Sequence, residues 1–329
     1  MRAISVAFHG KTLSAFSVII KGGLMAGKGI GFGKAILFNE HFVVYGIPAI
    51  ASAIGMKTVA FIEQAEKLTL VDDRKETPGY KKEKLEQQKN SLKRIMDAAG
   101  IDNQNIKITL IGDLVASSGI GASAASCVAI ARALSDYFNL GFSDEKINEI
   151  AYEGEKGYHG TPSGIDNTAA TYGGLVWFKK DKSNVIERLS IKFPVEIVMG
   201  NTGIVADTSR VVAGVRERKN KNPEKYENIF MDAEKLVYDA RKALGVFDLK
   251  TVGALMNKNH KLLQGIGVSC KELDFLVNLA NDRGAYGAKL TGGGAGGNMV
   301  ALTPGKELQE KVASAMEKEG FKVLRTTIG

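Results

Sequence analysis

The stretch SSGIGASAASCVAIARALSDYF, residues 117–138, constrains the fold more than any other. It runs a glycine–serine turn into a helix built largely of alanine, and it follows IKITLIG (106–112), which reads as a strand. Small side chains along such a helix let it lie close against its neighbours. The turn adds a chemical constraint. Glycines let backbone N–H groups approach a ligand closely, and a helix N-terminus carries partial positive charge, so the junction suits a phosphate. As a bare pattern it is also compatible with a plain tight turn.

The rest of the chain alternates strands and helices without a regular βαβ order. Residues 1–20 alternate loosely as strands do, and KAILF (34–38) and VAFIEQ (59–64) read as further strands. Residues 81–100 form an amphipathic helix with a glycine stop, and Ser143 is the expected N-cap of the helix that follows it. GGLVWF (173–178) reads as a strand and KKDKSNVIERLS (179–190) as a charged hinge. VEIVMGNT (195–202) opens a second unit with about three helices, which ends in AKLTGGGAGGNMVAL (288–302) and KVLRTT (322–327). The pattern predicts an α+β protein of two domains, residues 1–190 and 191–329.

Composition narrows the function classes. Thirty-eight glycines in 329 residues are many, and their clustering points to sites built from backbone. The net charge of +8 would suit nucleic acid or an anionic small substrate with a nucleotide. No nucleic-acid motif accompanies it, and RERKNKNPEK (216–225) reads as a solvated face, so no nucleic-acid partner is expected. Cys127 and Cys270 stand far apart and read as buried small apolar residues in a reducing compartment. No apolar run is long enough to span a membrane. Residues 1–39 contain no acid, as in some organelle leaders, but a start at Met25 or a basic strand pair explains this equally; a cytoplasmic protein is expected.

Two nucleotide signatures fail. A Walker A loop needs GxxxxGK followed by Ser or Thr; here Ala35 follows Gly33-Lys34, and Lys28 stands where the first glycine belongs. GGGAGG (292–297) fits GxGxxG by letter, but it leads into a strand, and no acid follows at the required distance. What remains is a phosphate-type loop, a second glycine loop, and Lys34, Glu40 and His41 after an early strand. To these the sequence adds Glu153, Glu155 and Asp166, the last a lone acid within GYHGTPSGIDNTAATYGG (157–174). Phosphoryl transfer needs such parts: phosphate donors, oxygens for Mg²⁺, and an acid or lysine near the acceptor hydroxyl. The residues thus point to an ATP-using small-molecule kinase.

Five segments in order carry a family resemblance. GKAILFNEHFVVYG (33–46) is similar to a PGKxxLxGEHxVVxG motif, and SSGIGASAA (117–125) stands where PxGxGLGSSAA is found. YEGEKGYHGTPSGIDNTAATYGG (152–174) resembles EGExxxHGxPSGxDNxxxxxGG. NTGIVADTSRVVAGVRER (201–218) resembles a substrate-side segment, and KLTGGGAGGNMVAL (289–302) resembles KLTGxGxGGxxxxL. These are motifs of the GHMP-superfamily kinases, and the chain most resembles their mevalonate kinase branch.

The resemblance implies a two-domain α+β fold, with an N-terminal domain like domain 2 of ribosomal protein S5 and a ferredoxin-like C-terminal domain. It implies Mg²⁺ and ATP as cofactors and the 5-hydroxyl of (R)-mevalonate as acceptor, on the way to isoprenoids. Asp166 takes the role of acid–base and Lys34 pairs with it to stabilise the transferring phosphoryl group. Ser123 and Glu155 match the Mg²⁺ ligands, although helical periodicity alone leaves Glu153 equally placed. Ser117, Ser118, Gly119, Ile120, Gly121, Ala122, Ser123 and Ala124 match the nucleotide loop. Glu40, His41, Ser163, Thr208, Gly292, Gly293 and Gly294 match the acceptor side. A homodimer is compatible with the family, although no interface is legible. The alternatives are a GHMP kinase acting on another small alcohol, and a non-catalytic ligand-binding relative. Four positions depart from the motifs: Phe32 for Pro, Asn39 for Gly, Ser117 for Gly and Ala122 for Ser. Asn39 carries a Cβ where the motif has none, which predicts a different backbone there.

Overall fold

The computed structural model describes residues 27–76, 79–102, 104–115, 119–182 and 184–329. The strand expectation for residues 1–20, the start at Met25, and the loop serines Ser117 and Ser118 lie outside these. Along the chain the elements are β1 (Gly27–Phe38), a 3-10 turn (Phe42–Tyr45), β2 (Ala49–Gln64), β3 (Thr69–Asp72), α1 (Tyr80–Glu83), α2 (Leu85–Ala99) and β4 (Ile106–Gly112). Next come α3 (Ala122–Tyr137), α4 (Asp144–His159), α5 (Ile165–Tyr172), β5 (Leu175–Lys179) and β6 (Val185–Leu189). The C-terminal half holds β7 (Val195–Asn201), α6 (Thr208–Lys221), α7 (Pro223–Gly245), α8 (Leu249–Gly265), α9 (Lys271–Asp282), β8 (Gly287–Thr291), β9 (Asn298–Leu302), α10 (Lys306–Lys318) and β10 (Lys322–Ile328).

The long strand β2 organises the first half. It pairs with β1 along most of its length, and with β5 (through residues 49–52) and β4 (through residues 58–64) on its other edge. β3 and β6 close the flanks, and among the described residues the β3–β4 pair is the parallel one in otherwise antiparallel ladders. The second half is an antiparallel sheet ordered β10-β7-β9-β8. The sheets meet where Ile328 of β10 pairs with Ile54 of β2. That junction coincides with a bulge: the β1–β2 register jumps between Phe32↔Lys57 and Lys34↔Ala53. Bulges re-aim the strand that carries them, and this one sits directly at Lys34.

The alanine-rich helix α3 does lie close, and β1 explains how. Gly27, Gly29 and Gly31 alternate on one strand face, where a Cβ at Gly29 or Gly31 would run into the carbonyl oxygens of Ala129 or Ala125. At Gly27 it would strike Tyr137 and the Ala133 carbonyl. Residues 125, 129, 133 and 137 form one stripe of the helix, so strand backbone packs on helix backbone with no side chain between.

Other expectations need correction. The helix of residues 81–100 is broken at Lys84 into α1 and α2, and it ends at Gly100, whose φ of 68° suits glycine. The charged hinge 179–190 contains a strand, because Val185 and Ile186 pair with β5 despite the charges around them. Five helices rather than about three occupy the described second half. The face at 216–225 is largely exposed as expected, although the half-buried Arg218 also donates to the Ile266 carbonyl at 2.9 Å. Cys127 is buried as expected, whereas Cys270 is only partly so. Ser143 does cap α4, accepting from Lys146 N, which is worth about 1 kcal/mol.

Four apolar clusters of the described residues fill the interior. One lies under α2, α3 and α4, and one is confined largely to the second half. The largest joins Ala35, Leu37, Ile50 and Trp177 of the first half to Ile197, Leu236, Leu302 and Ile328 of the second. The two sheets thus share a core.

Candidate active site

The bulge delivers Lys34 to the N-terminal end of α3. Its backbone N–H donates to the Ile120 carbonyl at 2.8 Å, and its side chain is almost fully buried. Gly121, with φ of 79°, turns the chain into α3; a Cβ there would stand 2.8 Å from Lys34 Cγ. Glycine is therefore required twice, by the dihedral and by the lysine. Gly121 at the N-cap has no side chain to cap α3, so among the described residues the N–H groups of its first turn, Ala122 to Ala124, have no intrahelical acceptor. The Ala124 side chain itself is buried in the core under α3, which leaves only its backbone to face a ligand.

Asp166 lies in the first turn of the short helix α5, and its Oδ1 is 3.1 Å from Lys34 Nζ. The carboxylate is one-third exposed while the lysine is buried, so the acid faces the opening and the lysine supports it from behind. Ser163 turns its hydroxyl to the Ile165 N–H at 3.4 Å at the start of that helix.

Glu155 and Ser123 come together from α4 and α3. Glu155 is 2 % exposed, and burial together with the charge of Asp166 pushes its pKa up to about 8, against a hydrogen bond from Ser123 and the charge of Lys34. Glu153 points elsewhere, pairing with Lys156 at 2.5 Å and Arg94 at 3.9 Å. His159, one helical turn beyond Glu155, is 3.3 Å from Ser123 Oγ and 3.9 Å from Glu155 Oε2. Its side chain is 56 % exposed, and partial desolvation lowers its pKa. Its spacing of four from Glu155 on one helix is a signal the sequence reading missed.

A second cluster faces these groups. Glu40 and Lys289 form a fully buried pair at 2.5 Å, and Lys289 also donates to the Leu290 carbonyl. Burial raises the Glu40 carboxyl and lowers the Lys289 ammonium. Glu40 Oε2 is buried with no hydrogen-bond partner among the described residues, an acceptor left for a ligand. His41 Nε2 lies 2.9 Å from the Gly293 carbonyl, and burial lowers its pKa to about 4. It is therefore neutral, and Nε2–H donates. Thr208 opens α6 against Gly293, where any Cβ would collide with its hydroxyl. Gly292 (φ 92°) faces the Gly119 carbonyl across the cleft, while Gly294 (φ 72°) leans on Val268. The two glycine loops thus stand opposite each other.

At Asn39 the backbone is left-handed. Asn39 has a φ of 68°, the left-handed region that glycine would occupy, and asparagine is among the few other residues that tolerate it. Sequence reading also missed Arg74, which has no motif around it. Buried, it grips Asp72 through two nitrogens, at 2.6 and 2.9 Å, and reaches the Ala122 carbonyl at 3.3 Å.

Known proteins bear on this arrangement. Residues 88–174 match the GHMP kinases N terminal domain, and residues 240–322 match the GHMP kinases C terminal domain. The mevalonate kinase of Thermococcus gammatolerans is 34% identical over 320 residues, covering 90% of this chain and 94% of that protein. That of Pyrococcus furiosus is 34% identical over 319 residues, with the same shares of the two chains covered. Among solved structures, L. major mevalonate kinase in complex with R-mevalonate matches with a TM-score of 0.87 and 39% identity, over 92% of this chain and 95% of that one. The Lactococcus lactis galactokinase, complexed with galactose, shares the fold alone, with a TM-score of 0.73 at 18% identity over 92% of this chain and 94% of its own. With full-length relatives of this kind and motifs in the same order, the chain belongs to the GHMP kinase family.

Proposed function

We propose that this chain transfers the γ-phosphoryl group of ATP to the 5-hydroxyl of (R)-mevalonate, giving 5-phosphomevalonate and ADP. The observation that carries the reading is the Lys34–Asp166 pair at 3.1 Å, set beside the first turn of α3 and the buried Glu155. The similarity to mevalonate kinases over nine-tenths of the chain supports the choice of acceptor. The reading divides the protein into domains at 190/191, with the site in the cleft between them.

In this reading Asp166 accepts the proton of the 5-hydroxyl while the oxygen–phosphorus bond forms and the bond to the β–γ bridging oxygen breaks. Lys34 stabilises charge on the phosphoryl oxygens and holds Asp166 in place. The first-turn N–H groups at Ala122, Ser123 and Ala124, with the glycines 119 and 121, hold the phosphates. Gly292 to Gly294 wall the opposite side; Glu40, His41 and Thr208 receive the acceptor, with the unpartnered Glu40 Oε2 taking a hydroxyl hydrogen.

Ser123 and Glu155 would hold Mg²⁺, which neutralises phosphate charge when bound. The donor set fits. A buried carboxyl that burial keeps protonated near neutrality is one that an adjacent cation draws into its ionised form.

The test is ADP release from Mg-ATP with (R)-mevalonate, galactose, homoserine or phosphomevalonate, with the product's phosphate located by phosphorus NMR. Turnover with mevalonate and phosphate on the 5-oxygen is expected. Turnover only with another alcohol would refute the acceptor, and ATP binding without turnover would refute the kinase reading.

A further inference from the structure

Two asparagines, each fully buried, face each other between β1 and α8. Asn259 Nδ2 donates to Asn39 Oδ1 at 2.9 Å, and the Asn39 backbone N–H donates to Asn259 Oδ1 at 3.2 Å. The Asn39 amide donates its other hydrogens to the carbonyls of Pro48 at 2.9 Å and Ala233 at 3.0 Å. Its own carbonyl accepts from Val43 N at 3.1 Å. Every polar group of Asn39 is thus engaged, at a residue held with positive φ. So complete a network in a dry interior fixes one geometry, because losing any partner strands a buried polar group.

What that geometry controls is the pair of residues that follow. Glu40 and His41 leave the Asn39 turn to reach Lys289 and the Gly293 carbonyl. The next residue of α8, His260, takes the Leu290 N–H on Nδ1 at 3.3 Å and meets Asp274 through Nε2 at 3.1 Å. Consecutive residues of one helix therefore hold both sides of the buried cluster: Asn259 the turn that carries Glu40, and His260 the strand that carries Lys289.

We infer that Asn39 and Asn259 are positioning residues, a reciprocal amide clamp that sets where Glu40 and His41 meet the acceptor. The inference rests on the reading that these two residues serve the acceptor side. The clamp touches neither nucleotide loop, so its loss acts on the acceptor and spares ATP.

The experiment begins with the wild-type protein, (R)-mevalonate and Mg-ATP, which tests the acceptor reading alone. Asn259→Ala, Asn39→Gly and the double variant are then compared by KM for each substrate, kcat, thermal midpoint and amide hydrogen exchange at residues 40–46. Asn259→Ala is expected to raise the acceptor KM about tenfold or more, to change the ATP KM by less than about twofold, and to speed exchange at 40–46. Adding Asn39→Gly to it should not restore the acceptor KM, because the residue-39 N–H still lacks Asn259 Oδ1 and the Pro48 and Ala233 carbonyls lose their donor as well. A lower midpoint with acceptor KM and exchange unchanged would overturn the clamp and leave a packing role only. Should Asn259→Ala fail to fold, Asn39→Gly alone, which strands Asn259, must move acceptor KM and exchange in the same direction; no movement overturns the inference. If the wild type uses another alcohol, the acceptor reading fails, and exchange still decides the clamp.

Discussion

Lys289→Met is the sharpest physical test of the buried cluster. The ammonium of Lys289 is fully buried against Glu40, whose other oxygen has no partner among the described residues. Burial already raises the Glu40 carboxyl from its ordinary 4.5 even with the lysine present. Without the lysine, ionised Glu40 would be a lone buried charge, so it would bind a proton instead. Holding a carboxyl neutral at pH 7 against an ordinary value of 4.5 costs at most about 3 kcal/mol, at about 1.4 kcal/mol per pH unit, part of which the raised wild-type carboxyl already bears. That lies at or below the lower end of the roughly 3–5 kcal/mol seen when one partner of a buried pair is removed. The sign follows from proton counting. The variant's folded Glu40 keeps its proton to higher pH than the wild type's, where Lys289 pulls the carboxyl down, so the deficit relative to wild type grows as pH rises through the range in which only the wild-type Glu40 is ionised. Urea unfolding at pH 5, 6, 7 and 8 reads it directly. Glu40→Gln in the Lys289→Met background should abolish that pH trend and leave the double variant well short of additive, by about 1 kcal/mol or more. A deficit under about 1 kcal/mol at pH 7, or one that does not change with pH, would refute the reasoning.

Asp166→Asn should lower kcat by about 10²–10⁴-fold while leaving ATP affinity nearly intact; single-turnover kinetics with an independent nucleotide titration would show this. Gly121→Ala should cost about 1 kcal/mol for a side chain in the left-handed region and also depress kcat by displacing Lys34, measured by chemical unfolding and turnover on one preparation. Acidification should destabilise the fold through His260, which burial lowers from 6.5 to about 4. The unfolded imidazole takes a proton below pH 6.5 and the folded one does not, so up to about 3 kcal/mol is lost as pH falls through that window. The loss should shrink in His260→Asn when thermal midpoints are followed from pH 7 to 4.

Much of the fold was legible because its signals are local. The strand–turn–helix around residues 106–137 shows in its letters, as does the Ser143 cap, and both rest on neighbours within a few residues. β6 escaped because its charged flanks mask Val185 and Ile186, whose pairing with β5 is a property of the sheet. The break at Lys84 has no proline or glycine to announce it. In the site, the proximity of Lys34 to Asp166 is not a matter of spacing: 132 residues separate them, and family resemblance rather than periodicity links the two. Arg74 and Asn259 had no such help. Their partners lie 48 and 220 residues away, and nothing in the adjacent sequence distinguishes them from ordinary surface polar residues. The alternating glycines of β1 were in plain view, but what they accommodate, the backbone of α3, is visible only once strand and helix are set together.

The core that Leu37, Ile50 and Trp177 share with Ile197, Leu236 and Ile328 has a consequence for how the molecule comes apart. A chain severed near residue 190 would leave each fragment with a raw apolar face that only the other fragment covers. Heat should then melt the intact protein in one calorimetric transition rather than two. The separate pieces should be sparingly soluble alone, yet recover their structure when mixed. Evolution could not easily exchange either half for a stranger's, since the seam between them is interior rather than surface.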